Sequence, residues 1–177
     1  MSFLEKEAVL ETRRLILRPP DRDDIERITE LAGDYDVARM TTRMPHPYRL
    51  SDAESFIAHC EIADPAKEHV FAITTEDDGL IGMIGLHPTG GMGNEIGYWI
   101  GKPWWNRGFA TEAAQAVLAF AKTDWRKKLL VSGHFADNPA SGGVLTKAGF
   151  LYTGVVEDRF CVSRGETMPT RMMVWLA

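Results

Sequence analysis

Three stretches with strand character lie so close together in the chain that their pairing is nearly dictated. Residues 69–75, 80–86 and 94–100 are separated only by the turn Asp77-Asp78-Gly79 and by the longer turn Gly90-Gly91-Met92-Gly93. Connections of this length join antiparallel neighbours, because a parallel partner needs a crossover of a dozen or more residues. Such a crossover comes next. Ala114, Val117, Leu118 and Ala121 keep helical spacing over 111–122, and 128–136 returns to strand pattern. This strand, helix and strand require parallel pairing. The chain therefore predicts a mixed α/β fold whose mostly antiparallel central sheet is flanked by helices.

The flanking segments extend the pattern. Residues 12–18 predict a first strand, with Leu15 and Leu17 alternating against Arg14, Ile16 and Arg18, closed by Pro19-Pro20. Asp21 to Asp24 offer capping side chains to a helix carrying Ile25, Ile28, Leu31 and Ala32, which stops at Gly33. Residues 34–50, where Pro45 and Pro47 enclose His46, predict a loop or broken helix. Ser51-Asp52-Ala53-Glu54 has the form of a capping box for a second helix bearing Phe56, Ile57 and Cys60 and ending near Ala63-Asp64-Pro65. Asn138-Pro139 supplies a cap and first-turn proline to a further helix ended by Gly149, and two closing strands straddle Arg164-Gly165. The expected order is β-α-α-β-β-β-α-β-α-β-β in one domain spanning 1–177, with no repeat, linker or low-complexity segment.

Composition narrows the function. A net charge of -5 argues against a nucleic-acid partner, which calls for a basic face. Cys60 and Cys161 stand apart, with no CxxC pair and no clustered histidines, so neither a disulfide framework nor a metal site is expected. The first seven residues lack a basic region followed by an apolar run, and no stretch approaches the roughly 18 apolar residues of a membrane helix. A cytoplasmic protein without a membrane partner is expected, as monomer or homodimer.

The richest segment is the passage from the third strand of the meander into the next helix. Gly101-Lys102-Pro103-Trp104-Trp105 leads to Asn106-Arg107-Gly108-Phe109-Ala110-Thr111, where the helix begins. A helix start offers unpaired N–H groups and the positive end of the dipole, so it holds a phosphate without a dedicated lysine. Gly108 and Ala110 keep the approach open, and Arg107 can add a charge-assisted bond. A helix cap with an incidental glycine fits the spacing equally well. GxxxxGK[ST] is absent, and Gly91-Met92-Gly93 lacks the third glycine of a dinucleotide fingerprint.

Four linked motifs carry a resemblance. Gly97-Tyr98-Trp99-Ile100, then 103–113, then Asn138-Pro139-Ala140-Ser141 and Lys147-Ala148-Gly149-Phe150 resemble the GNAT N-acetyltransferase superfamily. Thr12 to Pro19 and Ser51 to Ile57 are similar to its ribosomal-protein N-terminal acetyltransferase branch, the RimJ/RimL type. The resemblance implies an acyl-CoA N-acyltransferase fold and an enzyme that moves an acetyl group from acetyl-CoA to a primary amine. The acceptor it favours is a protein N-terminus; a small amine, amino acid or antibiotic is the alternative within the branch. An acyl-CoA-binding module without catalysis is the alternative of another class.

The resemblance also implies roles. The pyrophosphate loop falls on Trp105 to Ala110, with Gly108 and Ala110 matching and Trp105 departing from the usual Gln or Arg. Pantetheine is expected against Trp99, Ile100 and Gly101, and Asn138 and Ser141 match cofactor contacts. The irregular segment with Tyr35, Arg43, His46 and Tyr48 is expected to shape the acceptor pocket.

Acetyl transfer needs a neutral amine, donors for the oxyanion and a proton for the leaving thiolate. Glu95, on the strand the family splays open beside the thioester, is the first candidate base, acting through water; a solvent-facing strand glutamate is the plainer reading. A backbone N–H near Ile100 would meet the oxyanion. Many relatives place a tyrosine where this chain has Leu145, so Ser141 is the remaining hydroxyl for the thiolate, or a residue that only caps the first turn. His46, His87 and His134 stand isolated in sequence and are expected to be packed or exposed. Trp99, Trp104, Trp105 and the strand Met172 to Trp175 are expected to pack the core and cleft, and Arg126-Lys127-Lys128 to be a solvated connection.

Overall fold

The computed structural model describes residues 8–91 and 93–177. The expectation for the first seven residues, and Met92 in the second hairpin turn, lie outside the described residues. In chain order the elements are β1 (Leu10–Glu11), β2 (Ile16–Arg18), α1 (Ile25–Ala32), α2 (Tyr35–Ala38), α3 (Leu50–Ile62), β3 (His69–Thr75), β4 (Gly79–Pro88), β5 (Asn94–Ile100), α4 (Phe109–Thr123), β6 (Leu129–Phe135), α5 (Pro139–Ala148), β7 (Leu151–Cys161) and β8 (Glu166–Leu176). The strands form one sheet in the order β1-β2-β3-β4-β5-β6-β8-β7. Every neighbouring pair is antiparallel except β5 with β6, the pair joined through α4.

Local chemistry revises three boundaries. The single strand expected over 12–18 is broken by a turn, because Thr12 accepts the Leu15 N–H on its hydroxyl at 2.9 Å and donates its own N–H to the Leu15 carbonyl at 2.9 Å. The inward alternation survives: Leu15 and Leu17 are buried while Ile16 is 44% exposed. The helix expected to start from a cap at Ser51 begins at Leu50, and the carboxylate that closes its first turn is Asp52, which accepts the Arg49 N–H at 2.7 Å. Ser51 lies inside the helix, its carbonyl accepting the Ser55 hydroxyl at 2.8 Å. Between Gly33 and Leu50 the chain makes one helical turn, α2, capped by Asp34, whose side chain accepts from the Asp36 N–H at 2.8 Å.

The core runs along the middle of the sheet. Leu17, Phe71, Ile73, Ile84, Leu86, Ile96 and Leu130 are essentially buried, with Ile28 and Leu31 of α1, Ile57 of α3 and Val117 of α4 against them. Ala113, Ala114 and Ala121 are fully buried, so α4 approaches the sheet closely. Side-chain alternation along β5 separates the two faces. Glu95 and Gly97 point with His87 toward α3, and Tyr98 points the other way, to α5, where its hydroxyl meets Ser141.

One close approach fixes how β4 and β5 lie together. A Cβ on Gly82 would fall 2.2 Å from the Trp99 carbonyl oxygen, a backbone atom that cannot turn aside. Gly82→Ala is therefore expected to destabilise the fold by about 1–3 kcal/mol. Gly90, around which a Cβ meets nothing within 4 Å, is the control. Thermal unfolding of both alanine variants checks this, and equal stability of the two would contradict it.

Candidate active site

Strand β5 is paired along its whole length to β4, from Asn94 opposite Pro88 to Ile100 opposite Gly82. To β6 it is paired only at Asn94 opposite Leu130 and Glu95 opposite Val131. Beyond that point β6 follows β8 instead, through to Phe135 opposite Thr170. The Ser132 hydroxyl makes the last bridge, donating to the Ile96 carbonyl at 3.0 Å. From there the strands part and the sheet opens.

Hydrogen-bond alternation shows what lines this opening. The Gly101 N–H bonds the Ile81 carbonyl at 2.8 Å, so in an antiparallel ladder of this register Trp99 and Gly97 also face β4. The peptide groups of Tyr98 and Ile100 face away from β4, into the gap. The Ile100 carbonyl is used by the Trp105 indole N–H at 2.6 Å. The N–H groups of Tyr98 and Ile100 and the Tyr98 carbonyl have no strand to pair with, and unpaired backbone groups of this kind favour a ligand that supplies the missing bonds.

The end of β5 leads directly to the start of α4. Asn106 and Gly108 both have positive φ, 58° and 78°, and curl the chain so that successive N–H groups turn inward. Gly108 is the cap residue and its side offers no acceptor; the first helical bond is from Glu112 N–H to the Gly108 carbonyl at 3.1 Å. The N–H groups of Phe109, Ala110 and Thr111 are left without helical acceptors, an arrangement that suits an anion. Arg14 holds the loop in shape. Its guanidinium donates to the Arg107 carbonyl at 2.9 Å, pairs with Glu112 at 2.7 Å and lies 4.5 Å from the centre of the Phe109 ring. Burial alone would raise the Glu112 carboxyl, but bonds from Thr12 and Arg14 hold it below its ordinary value. Arg107 is exposed beside the same ring, free to reach an anion.

On the far side of the opening, the Asn138 side chain caps α5 by accepting from the Ser141 N–H at 3.3 Å. The Ser141 hydroxyl is 2.7 Å from the Tyr98 hydroxyl, a bond that crosses from α5 to β5. Burial pushes the Tyr98 phenol far up, so it is neutral and able to donate. Leu145 is fully buried and belongs to the core, which explains why no hydroxyl is needed there for packing.

A cavity of about 470 Å³ joins this opening to the α3 face of the sheet. Glu95, Trp99 and Ser141 line it, with Arg43 and Tyr48 from the irregular segment; Tyr35 and His46 do not, and instead pack on each other with ring centres 5.0 Å apart. Burial pushes the Tyr48 phenol up to about 12. Glu95 accepts from Arg159 of β7 at 2.5 Å, a partner 64 residues away.

Two of the three histidines read as isolated have partners in the cavity wall. His87 Nδ1 is 2.5 Å from one oxygen of Glu68, and His59 Nε2 is 2.8 Å from the other. Burial acts to raise the Glu68 carboxyl, but the two imidazoles hold it below its ordinary value. His134 Nδ1 donates to the Phe135 carbonyl at 2.8 Å, which leaves its Nε2 to accept from the Tyr152 hydroxyl at 2.9 Å. Glu68, His59, Tyr98 and Arg159 were not legible as site residues. No spacing motif links them, and only Tyr98 stood inside a recognised stretch. Among the described residues no group of side chains is arranged to hold a metal ion, and no helix is long and apolar enough to cross a membrane.

The sheet opens between a helix start with unpaired N–H groups and a partly open cavity of mixed polar and apolar lining, and the chain belongs to the acetyltransferase (GNAT) domain family, whose model matches residues 14–151. It is 31% identical over 155 residues to the uncharacterized N-acetyltransferase YoaA of Bacillus subtilis (strain 168), covering 85% of this chain and 86% of that protein. Its fold is similar to that of MccE, the microcin C7 self immunity acetyltransferase solved with acetyl-CoA and AMP, at a TM-score of 0.81 and 18% identity over 94% of each chain. It is also similar to RimL, the ribosomal L7/L12 alpha-N-protein acetyltransferase solved with coenzyme A, at a TM-score of 0.82 and 14% identity over 96% of this chain and 98% of that one. The protein is an acetyl-CoA-dependent N-acetyltransferase.

The loop before α4 can be tested through Gly108. A valine there meets the positive φ, a strain of roughly 1–2 kcal/mol, and crowds the Arg14 guanidinium that holds the loop, which a Cβ would approach to 3.3 Å. Affinity of Gly108→Val for acetyl-CoA is expected to fall about tenfold or more by calorimetry, with Gly90→Val unchanged. Equal affinity in the two variants would remove the loop from the binding site.

Proposed function

We propose that the opening between β5 and β6 receives the pantetheine arm of acetyl-CoA, with its pyrophosphate on the N–H groups of 109–111, and that the cavity presents a primary amine to the thioester. The observation that carries this is the continuity of the two spaces. Tyr98, Ser132, His134 and Ser141 at the opening line the same cavity as Thr41, Arg43, Tyr48 and Phe56 on the α3 side. An amine entering there meets the thioester from the side opposite the pyrophosphate.

In this reading the N–H of Ile100 stabilises the oxyanion as the amine adds to the carbonyl carbon. The C–S bond then breaks, and Ser141, backed by the Tyr98 hydroxyl, donates its proton to sulfur and is reprotonated by the proton the amine nitrogen gives up. A thiolate is a moderate base, so this donor is expected to matter less than the base that frees the amine.

The acceptor class we propose is the α-amino group of a protein N-terminus. Its pKa near 8 leaves a workable neutral fraction at physiological pH. The RimJ/RimL-like motifs and the likeness in fold to a ribosomal-protein acetyltransferase support this assignment. A second reading, a small amine, is favoured by the cavity volume, which lies within the range of small-molecule sites. Thiol release measured against a panel of peptides, amino acids and polyamines tests both. Peptide N-termini are expected to give the highest kcat/KM, about tenfold or more above free amino acids, for which a peptide's added contacts would account. Turnover confined to small amines would move the assignment to the second reading, and acetyl-CoA binding without release over the whole panel would leave only a binding module.

A further inference from the structure

We infer that the proton of the acceptor ammonium is taken by Nε2 of His87, which Glu68 holds in position. This rests on the proposed amine transfer at the opening.

The hydrogen bond between His87 and Glu68 sets the tautomer. A carboxylate oxygen only accepts, so the 2.5 Å contact places the ring hydrogen on Nδ1 and leaves a lone pair on Nε2. Among the described residues Nε2 has no hydrogen-bond partner. The backbone beneath it is bare: Gly85 of β4 and Gly97 of β5 stand opposite each other in the ladder, and the ring lies over both. A Cβ on Gly85 would fall 2.5 Å from Nε2, and one on Gly97 would be 4.0 Å from Cδ2. The two missing side chains thus create the space the imidazole occupies, beside the strand whose outer edge faces the opening.

The other charged and titratable groups on this cavity leave the role to His87. His59 and Asp52 come from α3, Tyr48 and Arg43 from the preceding segment, Glu95 from β5, His134 from β6 and Arg159 from β7. Glu95 is committed to Arg159 through Oε1. His59 spends its Nε2 on Glu68, and His134 has both ring nitrogens bonded. Glu68 is almost wholly buried, with one oxygen on each of two imidazoles, so the carboxylate holds the His87 ring in a fixed orientation. Its position is itself fixed, because the Asn94 side chain at the start of β5 donates to the adjoining Lys67 carbonyl at 2.8 Å.

The step balances without a further reactant. One N–H bond of the ammonium breaks and its proton passes to His87 Nε2. The freed electron pair forms the N–C bond and gives the tetrahedral oxyanion, whose collapse breaks the C–S bond of the thioester. The second proton lost from nitrogen ends on the thiolate sulfur, and the imidazolium returns its proton to water through the part of its side chain that is exposed.

The test compares pH profiles of kcat for His87→Gln, Glu68→Gln, Glu95→Gln and the parent, with acetyl-CoA affinity by calorimetry as the check on folding. His87→Gln is expected to lower kcat about 100-fold and abolish the acid-side limb, at unchanged acetyl-CoA affinity. Glu68→Gln should lower kcat by a smaller factor than His87→Gln and weaken the preference for the Nδ1–H tautomer, since an amide can either accept from Nδ1–H or donate to a bare Nδ1. Gly85→Ala should reproduce the His87→Gln loss by displacing the ring. A wild-type profile in His87→Gln, or loss of the limb in Glu95→Gln alone, would overturn the inference. Imidazole nitrogen NMR on the unaltered protein decides it independently of turnover: the Nδ1–H tautomer of neutral His87 is expected, and the Nε2–H tautomer would overturn it. Turnover absent from every amine alongside the expected tautomer would count against the proposed transfer and leave the Glu68–His87 arrangement standing.

Discussion

Everything in this fold that bears on chemistry depends on the point at which β5 and β6 stop pairing. Each strand has a full-length antiparallel partner on its outer side, β4 for one and β8 for the other, and the two halves of the sheet are joined by only two residue pairs. A parallel pair built through the α4 crossover has no hairpin to hold its register, so divergence costs only the bonds beyond the junction. Those bonds are not replaced within the backbone. The sheet therefore keeps a row of donors and acceptors beside a partly open cavity, where a bound ligand gains by completing them.

The walls of the opening are stiffened by contacts distant in sequence. Arg14 ties the first turn of the chain to the loop before α4, and the Tyr98–Ser141 bond spans the gap itself. On the cavity side the β7–β8 hairpin holds the lining segment: Val162 N–H donates to the Thr42 carbonyl at 3.0 Å, Cys161 Sγ to the Thr41 carbonyl at 3.2 Å and Arg164 to the Arg39 carbonyl at 2.8 Å. Arg164 is anchored in turn on Asp137, whose carboxyl its guanidinium holds below the ordinary value. The shape of the cavity is thus fixed from the opposite end of the chain, through backbone carbonyls of the segment that lines it.

Much of the frame was legible because periodicity and turn chemistry are local. The meander, the parallel crossover and the helix starts at Gly108 and Asn138 follow from alternation, glycine and capping residues. The broken first strand was not legible, since the Thr12 hydroxyl competes with strand pairing by a bond that no apolar pattern reveals. Nor was the shift of the α3 cap, where Asp52 and Glu54 both stood within reach of a box and only geometry chose Asp52. The site divides the same way. The helix start to which we assign the pyrophosphate is one continuous stretch, whereas the wall of the cavity is assembled from Glu68, His87, Glu95 and Arg159, brought together by strand register. A histidine that looks solitary along the chain acquires a carboxylate partner 19 residues away because β3 and β4 are neighbours.

Residue-resolved amide hydrogen exchange reports directly on the unpaired edge of β5. Acetyl-CoA is expected to slow exchange at the N–H groups of Tyr98 and Ile100 about tenfold or more, as the ligand supplies the acceptors that β6 withholds. The amides of Trp99 and Gly97, already bonded to β4, should change little. Unchanged exchange at Tyr98 and Ile100 under saturating acetyl-CoA would contradict the claim that the donor occupies this opening.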